Sequence, residues 1–523
     1  MHILFRQLCG EISQYQEIYL YGVGLYAKML YQKFKGIGWE IRIKAFIVSQ
    51  KMTEKQFENV SIITFEQFKT LEQNGIIIIA TGEQYREEIE NILLKYNYKN
   101  YISLDQFMTI PSLAWKTLSF KQYCLYLTEE YAYGELEKYE RKETDKIVFI
   151  VNYISVRISK IVQALIKKGY KTLILQFDNS VPYVGEQELE EAGIQITKCK
   201  EIDELLLRVI RENPLVYYLE FPPHLYEIGM FICKNKRQIG KVIFAPYDLY
   251  SGMGLPQFEN KGYMKMERNM LENSDGVVWR YQSRNFLSER FGYQYKGKSV
   301  TFWDYCESFD IDESYHRTDD VLRLCFLPTN MDNYIDCKDS QNGFACENTI
   351  WDLIELLGNK ANCEVDIYAW NLSDNHKKIM DRIVSKYVNF KIYVHIPHKE
   401  LLIRLQKYDY GVCLIRHNNP IKYVAEYYDA MHITEGIAYY STKNSLFDMI
   451  SAGVPIIGRF PVKQMEFFDQ FQVRVDMDYI DFDIDYLIKH RSYYKENARS
   501  ARKQLLIDEH IEELIVFFKD INE

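Results

Sequence analysis

The stretch STKNSLFDMISAGVPIIG, residues 441–458, gathers polar and charged side chains where a helix should hand over to a strand. Ser441 or Thr442 reads as the N-cap, its hydroxyl taking an orphan backbone N–H. Gly453 suits the left-handed position just past a helix, and Pro455 forbids continuation. Val454 to Ile457 then reads as a buried parallel strand. In an open parallel sheet, helix N-termini stand beside the carboxyl ends of strands, where ligands bind. The free N–H groups and positive dipole there favour phosphate. Lys443 adds a mobile cation, and Asn444 and Ser445 add donors. Asp448, deeper in the helix, suits paired ribose hydroxyls better than phosphate. The same letters also describe a plain capped helix with a solvated lysine and aspartate.

The elements that must hold such a site follow from periodicity. Short apolar runs alternate with amphipathic helices, which argues an α/β chain with mostly parallel sheets. The first block, residues 1–110, carries strands at IYLYG, IKAFIV and GIIIIATG. Its GVGLYA turn places Gly22, Gly24 and Ala27 between a strand and a helix, the pattern of a dinucleotide turn. The next strand ends in Ser49, where a ribose-gripping acid would be expected. This block resembles the small Rossmann-like domain that precedes some sugar-modifying and capsule enzymes. It reads as an accessory nucleotide- or ligand-binding module, or as scaffolding. Residues 111–145 read as a charged helical connector. A second block spans 146–320 and a third 321–490, with a closing helix over 491–523 expected to cross back.

Composition narrows the partners. The chain has 523 residues, room for about three domains at ~150 residues each. A net charge of -9 argues against a broad basic face for nucleic acid. The ten cysteines show no CxxC or other metal-ligand spacing and read as reduced thiols of a cytoplasmic protein, so no metal site is expected. The apolar runs are strand-sized and no signal peptide or membrane span is expected. Peripheral membrane association stays compatible with this reading. The richness in Tyr, Ile, Lys, Glu and Asn suggests a low-GC bacterium.

From IYVHIPHKELLIRLQKYDYGVCLIRHNN through the STK helix to AGVPIIG, the chain resembles the C-terminal half of GT-B glycosyltransferases, family 4 in the broad sense. APYDLYSG, SDGVVWRYQSRNFLSERFGY and TFWDYCESFDID resemble successive segments of the N-terminal half. The resemblance covers roughly residues 146–523 and is most specific over 393–458. It implies two Rossmann-like domains facing a cleft, with a nucleotide-sugar donor, UDP- or GDP-linked, held mainly by the second. The family's glutamate pair is altered here: Asp448 stands at the second position and Tyr440 at the first. The lysine common in the first C-terminal loop is not evident in LPTNMDNYID.

The resemblance therefore implies a donor site rebuilt from Asn330, His395, Arg416, Thr442, Lys443, Asn444 and Asp448. Arg416 could neutralise a diphosphate through a bidentate fork, or be a surface charge. A histidine such as His395 is more often a satisfied core residue than a ligand contact. A base is needed only for inversion. Asp248 is the first candidate and Asp178 the second; both also fit turns after strands. The implied activity is metal-independent, cofactor-free transfer of a sugar to a glycan, lipid-linked or protein acceptor in bacterial surface polysaccharide or glycoprotein assembly. The alternatives are a non-catalytic GT-B-like partner protein and an NAD-dependent nucleotide-sugar modifying enzyme using the first block, which lacks a Tyr-x-x-x-Lys pair after its sheet.

Overall fold

The computed structural model describes the chain apart from residues 1–2, 72–73, 82, 104–122, 125–126, 128–145, 178–183, 221–224, 247–262, 281–294, 296, 312–317, 329–349, 359, 371, 414–442, 460–461 and 478–480. The chain forms two compact units, one of Met1–Arg141 with Lys200–Glu212, the other of Lys142–Cys199 with Asn213–Glu523. Nearly all of the expected connector, 111–145, lies outside the described residues.

In the first unit, strands β1 (Ile18–Tyr21), β2 (Ile43–Val48), β3 (Gln56–Phe57), β4 (Val60–Thr64), β5 (Ile76–Ile79) and β6 (Tyr101–Ser103) form one sheet in the order β3-β4-β2-β1-β5-β6. All its pairings are parallel except β3 with β4. An unbroken run such as IIII in β5 is what burial on both faces demands, and all four residues are buried. The chain reverses after β1 at Gly22, whose φ is 114°. A Cβ there would stand 2.8 Å from the Thr81 methyl and 2.9 Å from the Ala80 carbonyl oxygen. Gly24 caps the Leu25–Gly36 helix without a side-chain bond, and Ala27 is fully buried. Ser49 is engaged by the Tyr21 hydroxyl at 3.2 Å.

The second unit carries two wholly parallel sheets. The first holds β7 (Lys146–Val151), β8 (Lys171–Phe177), β9 (Ile196–Cys199), β10 (Val216–Glu220), β11 (Val242–Phe244), β12 (Gly276–Trp279) and β13 (Lys298–Thr301), ordered β13-β12-β11-β10-β7-β8-β9. The other holds β14 (Leu322–Phe326), β15 (Cys363–Ala369), β16 (Phe390–Val394), β17 (Tyr410–Cys413), β18 (Ile456–Gly458) and β19 (Arg474–Val475), ordered β16-β15-β14-β17-β18-β19. Each sheet grows first one way and then the other. The reversal falls between β7 and β10 in the first sheet and between β14 and β17 in the other.

Two passages join these sheets. One is the segment after β13; the other is the junction of the Ile484–Gln504 and Ile507–Asn522 helices. They meet where Cys306 donates its backbone N–H to Leu505 at 2.8 Å and accepts from Ile507 at 2.9 Å. The Ile484–Gln504 helix serves the later sheet, taking the Tyr410 hydroxyl bond on the Leu487 carbonyl at 3.0 Å. The Ile507–Asn522 helix lies on the earlier one, with the Phe518 and Tyr218 rings 6.3 Å apart and Asn522 Nδ2 donating to Leu215 O at 3.0 Å. A single apolar cluster runs from Phe149 and Tyr218 to Phe447 and Ile456. The chain thus has two Rossmann-like domains in one body, preceded in sequence by a smaller mixed sheet.

Candidate active site between the two parallel sheets

The reversal between β14 and β17 leaves a crevice beyond their carboxyl ends, the place where open α/β sheets take ligands. A cavity of about 270 Å³ opens there. Its floor comes from the ends of β14, β15 and β17, through Phe326, Ala369 and Cys413. Tyr368, Trp370 and Tyr393 make an aromatic wall, Tyr368 and Tyr393 stacked with centroids 4.9 Å apart. Three helices begin at its edge: Val156–Lys167 of the earlier domain, and His398–Leu405 and Asn444–Ser451 of the later one. Each contributes its first turn, so three positive dipole ends converge on one small space.

The Asn444–Ser451 helix starts later than its letters suggest. Its N-cap is Lys443, which makes no side-chain cap bond, and the expected Thr442 cap lies outside the described residues. The physical reason is a neighbour. Gln464, fully buried, donates from Nε2 to the Lys443 carbonyl at 3.0 Å and accepts the Lys443 N–H on Oε1 at 2.8 Å. Gly453 takes the expected left-handed turn with φ 68°.

Lys443 and Asn444 both line the cavity. The Lys443 ammonium lies 3.6 Å from Cys413 Sγ. Asn444 Oδ1 accepts from Arg280 Nη2 at 3.2 Å, reaching it from the end of β12. Arg280 is itself fixed by Asp304, its Nη2 donating to Oδ2 at 2.6 Å, while Arg157 Nε stands 2.9 Å from Oδ1. Burial would raise the Asp304 carboxyl, but the two guanidiniums override it and hold it below the usual carboxylate range.

Asp448 lines the cavity and is 6% exposed. Its Oδ1 faces His398 Nε2 at 3.2 Å. The other ring nitrogen, Nδ1, faces Glu188 Oε1 at 2.9 Å and Glu307 Oε2 at 3.4 Å. Burial alone would lower the His398 pKa; the charges of Asp448 and Glu188 reverse that and push it up to about 10. Burial raises Glu307. Glu188 is lowered, because His398 outweighs the burial that would raise it. Among the described residues, Glu188, Glu307 and His398 are also the one group whose donor atoms lie close enough together to share a cation.

The histidine at the cavity is therefore His398, not His395. His395 is exposed after β16, with a positive φ of 56° and its ring edge-on to Trp370 at 5.7 Å. Both histidines stand in the same HIPHKE string, and only the helix start at His398 turns that one inward. Asp178, Asp248, Asn330 and Arg416 lie outside the described residues. Glu220, at the end of β10, had no sequence signal. Burial pushes its pKa from 4.5 to about 7 against the pull of Arg157 and Arg280, and Ser155 Oγ stands 3.4 Å away.

The fold and the cavity together define a GT-B arrangement, two Rossmann-like domains across a cleft. No family model matches the chain, and no curated protein matches it in sequence. Among solved structures it is similar to the pneumococcal O-GlcNAc transferase GtfA in complex with UDP and GlcNAc, at 9% identity and TM-score 0.46, over 72% of this chain and 99% of that one. It is similar to TarM at 9% identity and TM-score 0.47, over 72% and 98%. A UDP-GlcNAc 2-epimerase from Methanocaldococcus jannaschii follows at 12% and 0.36, over 69% and 99%.

Proposed function

We propose that this chain is a bacterial, cytoplasmic GT-B glycosyltransferase. It moves a sugar from a UDP- or GDP-linked donor to a glycan, lipid-linked or protein acceptor in surface polysaccharide or glycoprotein assembly. The observation that carries this is the convergence of three helix N-termini and the Lys443 ammonium on one aromatic-walled cavity at a sheet reversal. That combination suits a diphosphate joined to a flat base. In the transfer, the bond from the anomeric carbon to the diphosphate oxygen breaks and a bond to the acceptor oxygen forms. The charge developing on the leaving diphosphate falls on the helix N–H groups and Lys443, electrostatic stabilisation that calls for no metal. Thr442 and Asn444 extend this donor set. Arg416, just after β17, and Asn330, just after β14, complete it. Asp448 takes the ribose hydroxyls. If the sugar inverts, the acceptor proton goes to Asp248 or Asp178, which follow β11 and β8; if it retains, the proton goes to the departing diphosphate oxygen. The first unit is an accessory ligand-binding domain through Gly22, Gly24 and Ala27. Among the described residues no helix is long and apolar enough to cross a membrane.

Calorimetry with UDP, GDP and NAD, followed by mass spectrometry of sugar transfer from donor panels, tests the reading. Binding of a nucleoside diphosphate and not NAD is expected. NAD binding would turn the chain into a nucleotide-sugar modifying enzyme, and binding of none would make it a non-catalytic partner.

A further inference from the structure

We propose that His398 is a positioning residue that fixes Asp448 in the cavity wall and ties it to Glu188 of the opposite domain. The inference rests on the donor-site reading for its effect on ligand, but its geometry stands alone. A neutral imidazole donates from one nitrogen only. Here Nε2 faces Asp448 while Nδ1 faces Glu188 and Glu307. Nδ1 is within hydrogen-bond distance of Glu188, while Nε2 and Asp448 Oδ1, both buried, meet as an ion-pair contact rather than a well-angled hydrogen bond. Carboxylates facing both nitrogens favour the ring with hydrogen on both. The upward pKa shift has the same sign.

The charged groups around the ring come from four elements. Glu188 stands on the Val184–Glu191 helix, with Ser159 Oγ donating to its other oxygen at 2.8 Å. Glu307 lies on the segment between the sheets, and Asp448 on the Asn444–Ser451 helix. Lys160, on the Val156–Lys167 helix, donates instead to the Tyr305 carbonyl at 2.6 Å. The ring thus faces Glu188 and Glu307 on one side and Asp448 on the other, and it is one of the ties between the domains. Asp448 Oδ1 is buried and makes no hydrogen bond, so its 3.2 Å contact with the likewise buried His398 Nε2 is the interaction that offsets its burial. The small exposure of this side chain to the cavity therefore falls elsewhere on it. An uncharged or shorter residue at 398 would release the carboxylate from that pose.

The test uses the full chain with isotope-labelled histidine. The His398 resonance is identified by its loss in His398→Gln. The ring is expected to show the histidinium pattern at about pH 8, below its raised pKa, and Glu188→Gln should lower its titration. UDP and its 2′,3′-dideoxy analogue are then compared by calorimetry. Wild type should prefer UDP. His398→Gln, and Glu188→Gln, whose side chain is not part of the cavity lining, should bind UDP about ten-fold more weakly and lose that preference. If His398→Gln fails to fold, the wild-type spectrum and the Glu188 variant still decide. A neutral ring, an unchanged preference in the variants, or a stoichiometric bound metal in place of the proton overturns the inference. Wild type that binds neither UDP nor GDP sinks the donor-site reading instead, and the spectrum alone then judges the tie.

Discussion

Removing the Lys443 ammonium should weaken nucleoside-diphosphate binding while leaving the helix mouth in place. The Gln464 bonds that shape this mouth go to the Lys443 backbone, not its side chain. Lys443→Ala and Lys443→Met therefore keep the local fold, and the methionine also keeps most of the apolar stem. What goes, besides the 3.6 Å contact with Cys413 Sγ, is the proposed charge-assisted contact to a phosphate, worth about 1.5–3 kcal/mol, or roughly ten- to a hundred-fold in Kd. The loss should grow along the series uridine, UMP, UDP, because only the longer phosphates reach the ammonium. It should shrink at high salt, since the cavity opens to solvent. Calorimetry of the three ligands on wild type and both variants measures this directly. Equal losses for uridine and UDP would show a packing role, and unchanged UDP affinity in a folded variant would refute the assignment.

Other residues carry separable expectations. Asp304→Asn leaves the buried guanidiniums of Arg157 and Arg280 without their counter-charge, and should lower unfolding free energy by about 3–5 kcal/mol in urea titrations. Because the Asp304 pKa is depressed, that contribution is present above its unfolded pKa and is lost as pH falls through the folded one. Glu220 runs the other way. Its pKa is raised to about 7, so the native state loses stability as pH climbs from 4.5 to that value. Glu220→Gln should therefore melt above wild type at about pH 8 and level with it at about pH 4. Gly22→Ala, forced into a positive φ against Thr81 and Ala80, should destabilise the first unit by about 1–3 kcal/mol. Limited proteolysis reads that out, and UDP binding by the second unit should be unchanged.

The framework was legible where burial is set by local letters. Strands such as KIVFIV and IKAFIV announce themselves because a parallel sheet is covered on both faces, so nearly every residue must be apolar. Gly453 announced the helix end because its left-handed turn has a steric cause within the chain segment itself. The helix start was less legible. Ser441 and Thr442 are locally good caps, but Gln464, one helix further on, holds the backbone at Lys443 and so moves the boundary to Asn444. A tertiary contact overrode a local preference.

The polar groups that join the domains were not legible at all, for the same reason carried further. Arg280 finds Asn444 and His398 finds Glu188 in the other domain, and within the earlier domain Arg157 finds Asp304, all across long stretches of sequence. None of these pairs shares a helix face or a strand register, so no period relates them. In sequence the charged members read as ordinary surface charges, and only the folded packing makes them buried ones. Buried charges survive only when paired, so the pairings follow once the two domains are brought together. The choice between His395 and His398 shows how narrow the margin is. One follows a strand and stays in solvent; the other, three residues on, opens a helix between both domains and meets three carboxylates. Asp448 thus keeps its place in the cavity wall with His398 packed against its buried oxygen. Donor binding by wild type together with a charged His398 ring would support Asp448 as the residue that takes the place of the altered glutamate pair.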